Sequence, residues 1–179
     1  TATTEIYTLS LHDALPIFGY MGCGKSTVGI RLSYRLKMPF LDTDKEIEKK
    51  HSCVISEVFA TLGEETFRNW ETEYLKKLGE KNAAYVISTG GGMVLREENR
   101  QLLKKLGTVV YLRAKPETIA ERLKGDTTRP LLQTENPVQK IREMLEKRAP
   151  VYEQAADWIL DVDHKSFEQI LDEIERNLV

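Results

Sequence analysis

The sequence predicts an α/β fold of three layers, αβα, around a central parallel sheet of about five strands. Three observations predict it. Strand-like and helix-like segments alternate after residue 17, the mark of βαβ units. The run Val109-Val110-Tyr111-Leu112 is apolar without alternation, as in a strand buried on both faces. A glycine-rich loop follows the first strand and opens the first helix, where such sheets bind anions.

The strand candidates are 15–19, 38–42, 84–88, 108–112 and 158–162. Ile55, Val58, Phe59 and Leu62 recur at i, i+3, i+4 and i+7, and Gly63 can close that helix. Phe67, Trp70, Tyr74 and Leu78 form a second stripe, which Gly79 is expected to end. Pro116 suits the first turn of another helix. Ser166 and Gln169 read as a capping box for a last helix whose apolar face is Phe167, Ile170, Leu171, Ile174 and Leu178. The segment 124–136 has neither period and is expected to be a lid. His51, His164 and Cys53 match no ligand constellation, and Trp70 and Trp158 read as core residues.

A chain of 179 residues suits one domain, and 41% hydrophobic with 30% charged residues is an ordinary globular composition. The net charge of -2 argues against a nucleic-acid partner. An anionic substrate must therefore meet local basic residues. Cys23 and Cys53 have no disulfide or zinc spacing, so reduced thiols and a cytoplasmic protein are expected. No apolar run is long enough for a membrane span, and residues 1–15 lack the basic start of a secretory signal.

Residues 1–17 are expected to be an atypical extension and 18–179 the domain proper. The chain has no initiator Met, and the stretch from Tyr7 to Ile17 reads like translated adapter sequence joined to a gene. Pro16 lacks the N–H that a central strand requires, and His12 and Asp13 are costly to bury. Ile17 and Phe18 are then the expected remnant of the native first strand.

Gly19-Tyr20-Met21-Gly22-Cys23-Gly24-Lys25-Ser26 fits G-x-x-x-x-G-K-[ST] in full, and Thr27 follows. The glycines let backbone N–H groups turn inward onto phosphate oxygens. Lys25 reaches the β- and γ-phosphates, and the Ser26 hydroxyl can ligate Mg²⁺. This is a P-loop for ATP, and Cys23 sits at a position whose thiol the chemistry does not need. Asp42-Thr43-Asp44 ends the second strand candidate. Carboxylates there can hold Mg²⁺ or take a proton from an attacking hydroxyl. Both fall on one side if the chain stays extended. The plainer reading makes Asp44 the cap of a helix.

The P-loop, Asp42-Thr43-Asp44, Phe67-Arg68, Gly90-Gly91-Gly92, Arg129-Pro130-Leu131-Leu132 and Arg148-Ala149-Pro150-Val151-Tyr152 occur in an order and spacing that resembles the shikimate kinases, from about Phe18 onward. The resemblance implies a P-loop kinase fold with a small helical substrate-binding subdomain near 44–72 and a lid. It implies transfer of the ATP γ-phosphate to the 3-hydroxyl of shikimate, within aromatic amino-acid (chorismate) biosynthesis. Asp42 resembles the Mg²⁺-associated carboxylate, and Asp44 the residue that orients or deprotonates the nucleophile. Arg68 and Arg148 resemble the pair that grips the substrate carboxylate, with Glu71 holding Arg68. Gly90, Gly91 and Gly92 resemble the loop that approaches the substrate. Arg129 resembles the lid arginine that stabilises the transferring phosphoryl group, and Arg122 the residue that stacks on adenine. A monomer with shikimate as its small-molecule partner is expected. Arg68, Arg129 and Arg148 each also have a plain reading, as an ion pair with Glu65, a loop residue and a helix-end charge. A gluconate kinase and a non-catalytic nucleotide-binding module are the competing functions.

Overall fold

The computed structural model describes residues 13–127 and 133–178. Arg129, Pro130, Leu131 and Leu132 of the expected lid, and His12 of the expected extension, lie outside them.

The described residues form five parallel strands in the order β2-β3-β1-β4-β5. The strands are β1 (Leu15–Phe18), β2 (Phe40–Asp42), β3 (Val86–Ser88), β4 (Val110–Arg113) and β5 (Trp158–Asp161). The helices are α1 (Lys25–Leu36), α2 (Thr43–His51), α3 (Ile55–Thr61), α4 (Glu64–Glu80), α5 (Glu97–Leu106), α6 (Pro116–Arg122), α7 (Pro137–Ala155) and α8 (Phe167–Leu178).

Strand side chains alternate between two cores. Leu15, Ile17, Val110 and Leu112 pack with Val28 and Leu32 of α1 and with Ile170, Leu171 and Ile174 of α8. Phe18 and Tyr111 pack on the other face with Leu75, Leu103 and Tyr152 from α4, α5 and α7. The sheet is thus buried on both faces, the three-layer architecture that the unbroken apolar run requires. A smaller core of Ile47, Val58 and Phe67 binds α2, α3 and α4 together, with Trp70 and Tyr74 half-buried against it.

Pro16 lies in the central strand, in register with Ile87. The Leu15 N–H donates to Tyr85 on the β3 side, and the Ala14 N–H to Leu106 on the other. By alternation the missing N–H of Pro16 falls on the β4 side, one residue before the β1–β4 ladder begins at Ile17 and Val110. On that side Pro16 falls between the Ala14–Gly107 bridge and the Ile17–Val110 pair, so its place in the strand costs one ladder hydrogen bond.

The capping box forms: the Ser166 N–H donates to Gln169 Oε1 at 2.8 Å, and the Gln169 N–H to Ser166 Oγ at 3.2 Å. Pro116 opens α6, and Gly63, with φ 85, follows α3. Gly79 does not end its helix. α4 continues to Glu80, and Asn82, with φ 45, supplies the left-handed turn beyond it.

Candidate active site

The P-loop joins the carboxyl end of β1 to α1, so its position follows from the central strand. Gly22 and Gly24 have φ of 77 and 96, in the left-handed region that a side chain resists. Gly24 precedes α1, which has neither a side-chain cap nor an acidic residue in its first turn. Its N–H groups and the positive end of the helix are left for an anion. A Cβ on Gly19 would stand 2.6 Å from both Cys23 Sγ and the Leu112 carbonyl oxygen. Cys23 is buried, and burial pushes its thiol above the usual range. It is a neutral packing residue rather than a nucleophile. Lys25 Nζ donates to the carbonyls of Gly19 at 3.1 Å and Tyr20 at 3.3 Å. Arg122 braces the outside of the loop, donating to the Cys23 carbonyl at 2.9 Å. Its guanidinium and the Phe167 ring both face Gly24.

Asp42 ends β2 beside Ser88 and caps α2. Its Oδ1 accepts from the N–H of Asp44 at 3.1 Å and of Lys45 at 3.3 Å. The cap is therefore Asp42 and not Asp44, and the chain turns helical at Thr43 instead of staying extended. Asp42 Oδ2 lies 3.5 Å from Ser26 Oγ. These two hard oxygen donors at the P-loop suit Mg²⁺, an ion held by few protein ligands together with phosphates and water. Among the described residues no group of three or more His, Cys, Asp or Glu is arranged to hold a metal.

Asp44 sits in the first turn of α2 against Gly90, where a Cβ would stand 2.8 Å from its Oδ1. That oxygen is buried and has no hydrogen-bond partner among the described residues, so it is open to a donor in the cleft. Burial and the neighbouring Asp42 charge push the Asp44 carboxyl up to about 6, against the pull of Lys25. It is thus ionised at neutral pH yet basic enough to accept a proton.

Arg68 projects from α4. It donates to Glu71 at 2.8 Å and to Glu64 at 3.1 Å, while Glu65 pairs with Arg96 instead. Glu71 is fully buried, and burial pushes its carboxyl up to about 7 while Arg68 opposes the shift. The Arg68 guanidinium lies directly over Gly92, so a side chain there would have to displace it. Arg148, on α7, donates to the Tyr152 hydroxyl at 3.2 Å and stands over the Tyr20 ring, 5.8 Å from its centre.

Gly22, Gly24, Lys25, Ser26, Thr27, Asp42, Asp44, Gly90, Gly91, Gly92 and Arg148 line one cleft of 480 Å³ at the carboxyl edge of the sheet, a size suited to a small ligand. Arg68 and Arg122 stand at its borders. Ser88 and Thr89 line it too. Sequence reasoning passed over them, although their place at the end of β3 was a usable signal. Tyr152 closes the Arg148–Tyr152 motif, whose resemblance assigns it no role. A larger hollow of 630 Å³ lies beyond β4 and β5 and is lined by Arg113, Lys115, Arg142 and Asp161. Arg113 and Arg142 are paired there with Asp161 and Glu117, so their charges are already balanced.

Comparison with known proteins agrees with this geometry. The family model for shikimate kinase matches residues 21–179. A shikimate kinase of Thermodesulfovibrio yellowstonii is 45% identical over 158 residues, 88% of this chain and 90% of the relative. The solved shikimate kinase of Acinetobacter baumannii, in complex with shikimate, superposes with a TM-score of 0.82 at 38% identity, covering 92% of this chain and 91% of that one. A gluconokinase of Sinorhizobium meliloti shares the fold alone, at 16% identity, a TM-score of 0.57 and 94% and 92% coverage. The matched family model and the 45% identical relative place this chain in the shikimate kinase family.

Proposed function

We propose that this chain transfers the γ-phosphoryl group of ATP to the 3-hydroxyl of shikimate, releasing ADP. One observation carries the reading: an uncapped helix N-terminus, a carboxylate with one buried, unpartnered oxygen and an arginine line the same cleft. The acceptor's carboxylate is held by Arg148 and Arg68, whose planar guanidinium groups match its two oxygens. The glycine loop leaves backbone N–H groups open to the acceptor. The substrate-binding region, 44–72, corresponds to α2, α3 and the first half of α4.

Asp44 takes the proton of the attacking hydroxyl. The hydroxyl oxygen bonds to the γ-phosphorus as the bond to the ADP oxygen breaks. Lys25 and the first turn of α1 hold the phosphates in line for that displacement. Ser26 and Asp42 would hold Mg²⁺, which supplies charge neutralisation on the phosphate oxygens when bound. Arg129 is assigned to the transferring phosphoryl group from its place in the motif. A coupled ADP-release assay with shikimate and gluconate as acceptors tests the reading. Turnover with shikimate and none with gluconate is expected. ADP release indifferent to shikimate would favour a nucleotide-binding module.

A further inference from the structure

Tyr152 lies one helical turn beyond Arg148 on α7, so the two side chains share a face. The residue is fully buried. Phe18 and Tyr111 pack edge-on against its ring, with centroids at 5.3 and 5.2 Å, which fixes where the phenol oxygen stands.

That oxygen makes two bonds. It donates its one proton to the Gly91 carbonyl at 2.6 Å and accepts from an Arg148 terminal nitrogen at 3.2 Å. The first bond sets the glycine loop. The peptide after Gly91 is trans, since the described residues contain no cis bond. Anchoring its carbonyl to Tyr152 therefore turns the Gly92 N–H to the opposite side. The loop is packed closely here, since a Cβ on Gly91 would stand 2.9 Å from the Gly19 carbonyl oxygen. Gly92 in turn carries the Arg68 guanidinium.

The second bond aims Arg148. Among the described residues no carboxylate pairs with Arg148, whereas Arg68 has Glu64 and Glu71. A neutral phenol orients the guanidinium without cancelling its charge, leaving that charge for an anion in the cleft.

We infer that Tyr152 is a positioning residue for the acceptor's carboxylate, aiming Arg148 and locking the glycine loop on which Arg68 rests. The inference depends on Arg148 being a carboxylate clamp, as proposed above. Tyr152→Phe removes the hydroxyl and keeps the ring packing. Since hydrogen bonds to charged groups are the strong ones, KM for shikimate should rise about tenfold. Both kcat and KM for ATP should stay within about twofold, the pattern of lost acceptor binding. Arg148→Met is measured beside it. If that change leaves KM for shikimate unaltered, the clamp reading fails and this inference falls with it. If Arg148→Met raises KM and Tyr152→Phe does not, Tyr152 is no positioning residue. A lower melting temperature of Tyr152→Phe with unchanged KM overturns the inference equally, since it leaves the hydroxyl a purely structural role.

Discussion

At the residue scale, Asp44 sets function against stability. Its carboxyl is raised to about 6 chiefly by burial, so the fold prefers it neutral. The sign follows from linkage. A carboxyl whose folded pKa exceeds its unfolded one costs stability as pH rises through that interval, here from near 4 to about 6. At neutral pH the ionised group costs the fold about 2–3 kcal/mol. Asp44→Asn is therefore expected to raise the melting temperature at pH 7.5 while lowering kcat by a factor of about 10² to 10⁴. Thermal melts and the ADP assay on one preparation check both halves. The wild-type kcat/KM should fall below about pH 6 as Asp44 takes up its proton. A rate flat from pH 5 to 8 would remove Asp44 as the base.

At the scale of elements, the sheet was readable because strands buried on both faces become unbroken apolar runs. The capping box was readable because it is a local backbone rule. Pro16, which the sequence argued against in a central strand, lies inside β1 all the same. Two further local readings went astray for physical reasons. Gly79 is tolerated inside α4 because Asn82 takes the left-handed turn. Asp44 did not cap α2 because Asp42, two residues earlier, already held the free N–H groups. Pro16 supplies a test at this scale. Its absent N–H faces β4, between the Ala14–Gly107 bridge and the ladder that starts at Ile17. Pro16→Ile would add a donor on that side, worth about 1 kcal/mol net. That exceeds most of the roughly 0.4–1 kcal/mol that the freer unfolded chain takes back. The melting temperature should rise by about one to two degrees. A fall would mean that no acceptor on β4 lies within reach.

At the scale of the whole molecule, the site is where three strand ends meet: the P-loop after β1, Asp42 and Asp44 after β2, and Gly90 to Gly92 after β3. The residue types were legible in the sequence because phosphate and carboxylate chemistry restrict them narrowly. Their mutual contacts were not. That Arg148 reaches Tyr20 and Tyr152, or that Arg68 lies on Gly92, depends on packing between segments far apart in sequence. On the proposed reading the cleft has a nucleotide half built on α1 and an acceptor half built on α4, α7 and the glycine loop, and Arg148 stands over Tyr20 of the P-loop. Each ligand should stabilise the fold through its own half, by about 2.7 kcal/mol at a hundredfold excess over Kd. Lys25→Ala should then abolish most of the melting-temperature shift given by ATP and leave the shikimate shift standing. Arg148→Met should do the reverse. If Arg148→Met weakens both shifts equally, its contact with Tyr20 couples the two halves, and neither can be treated as an independent site.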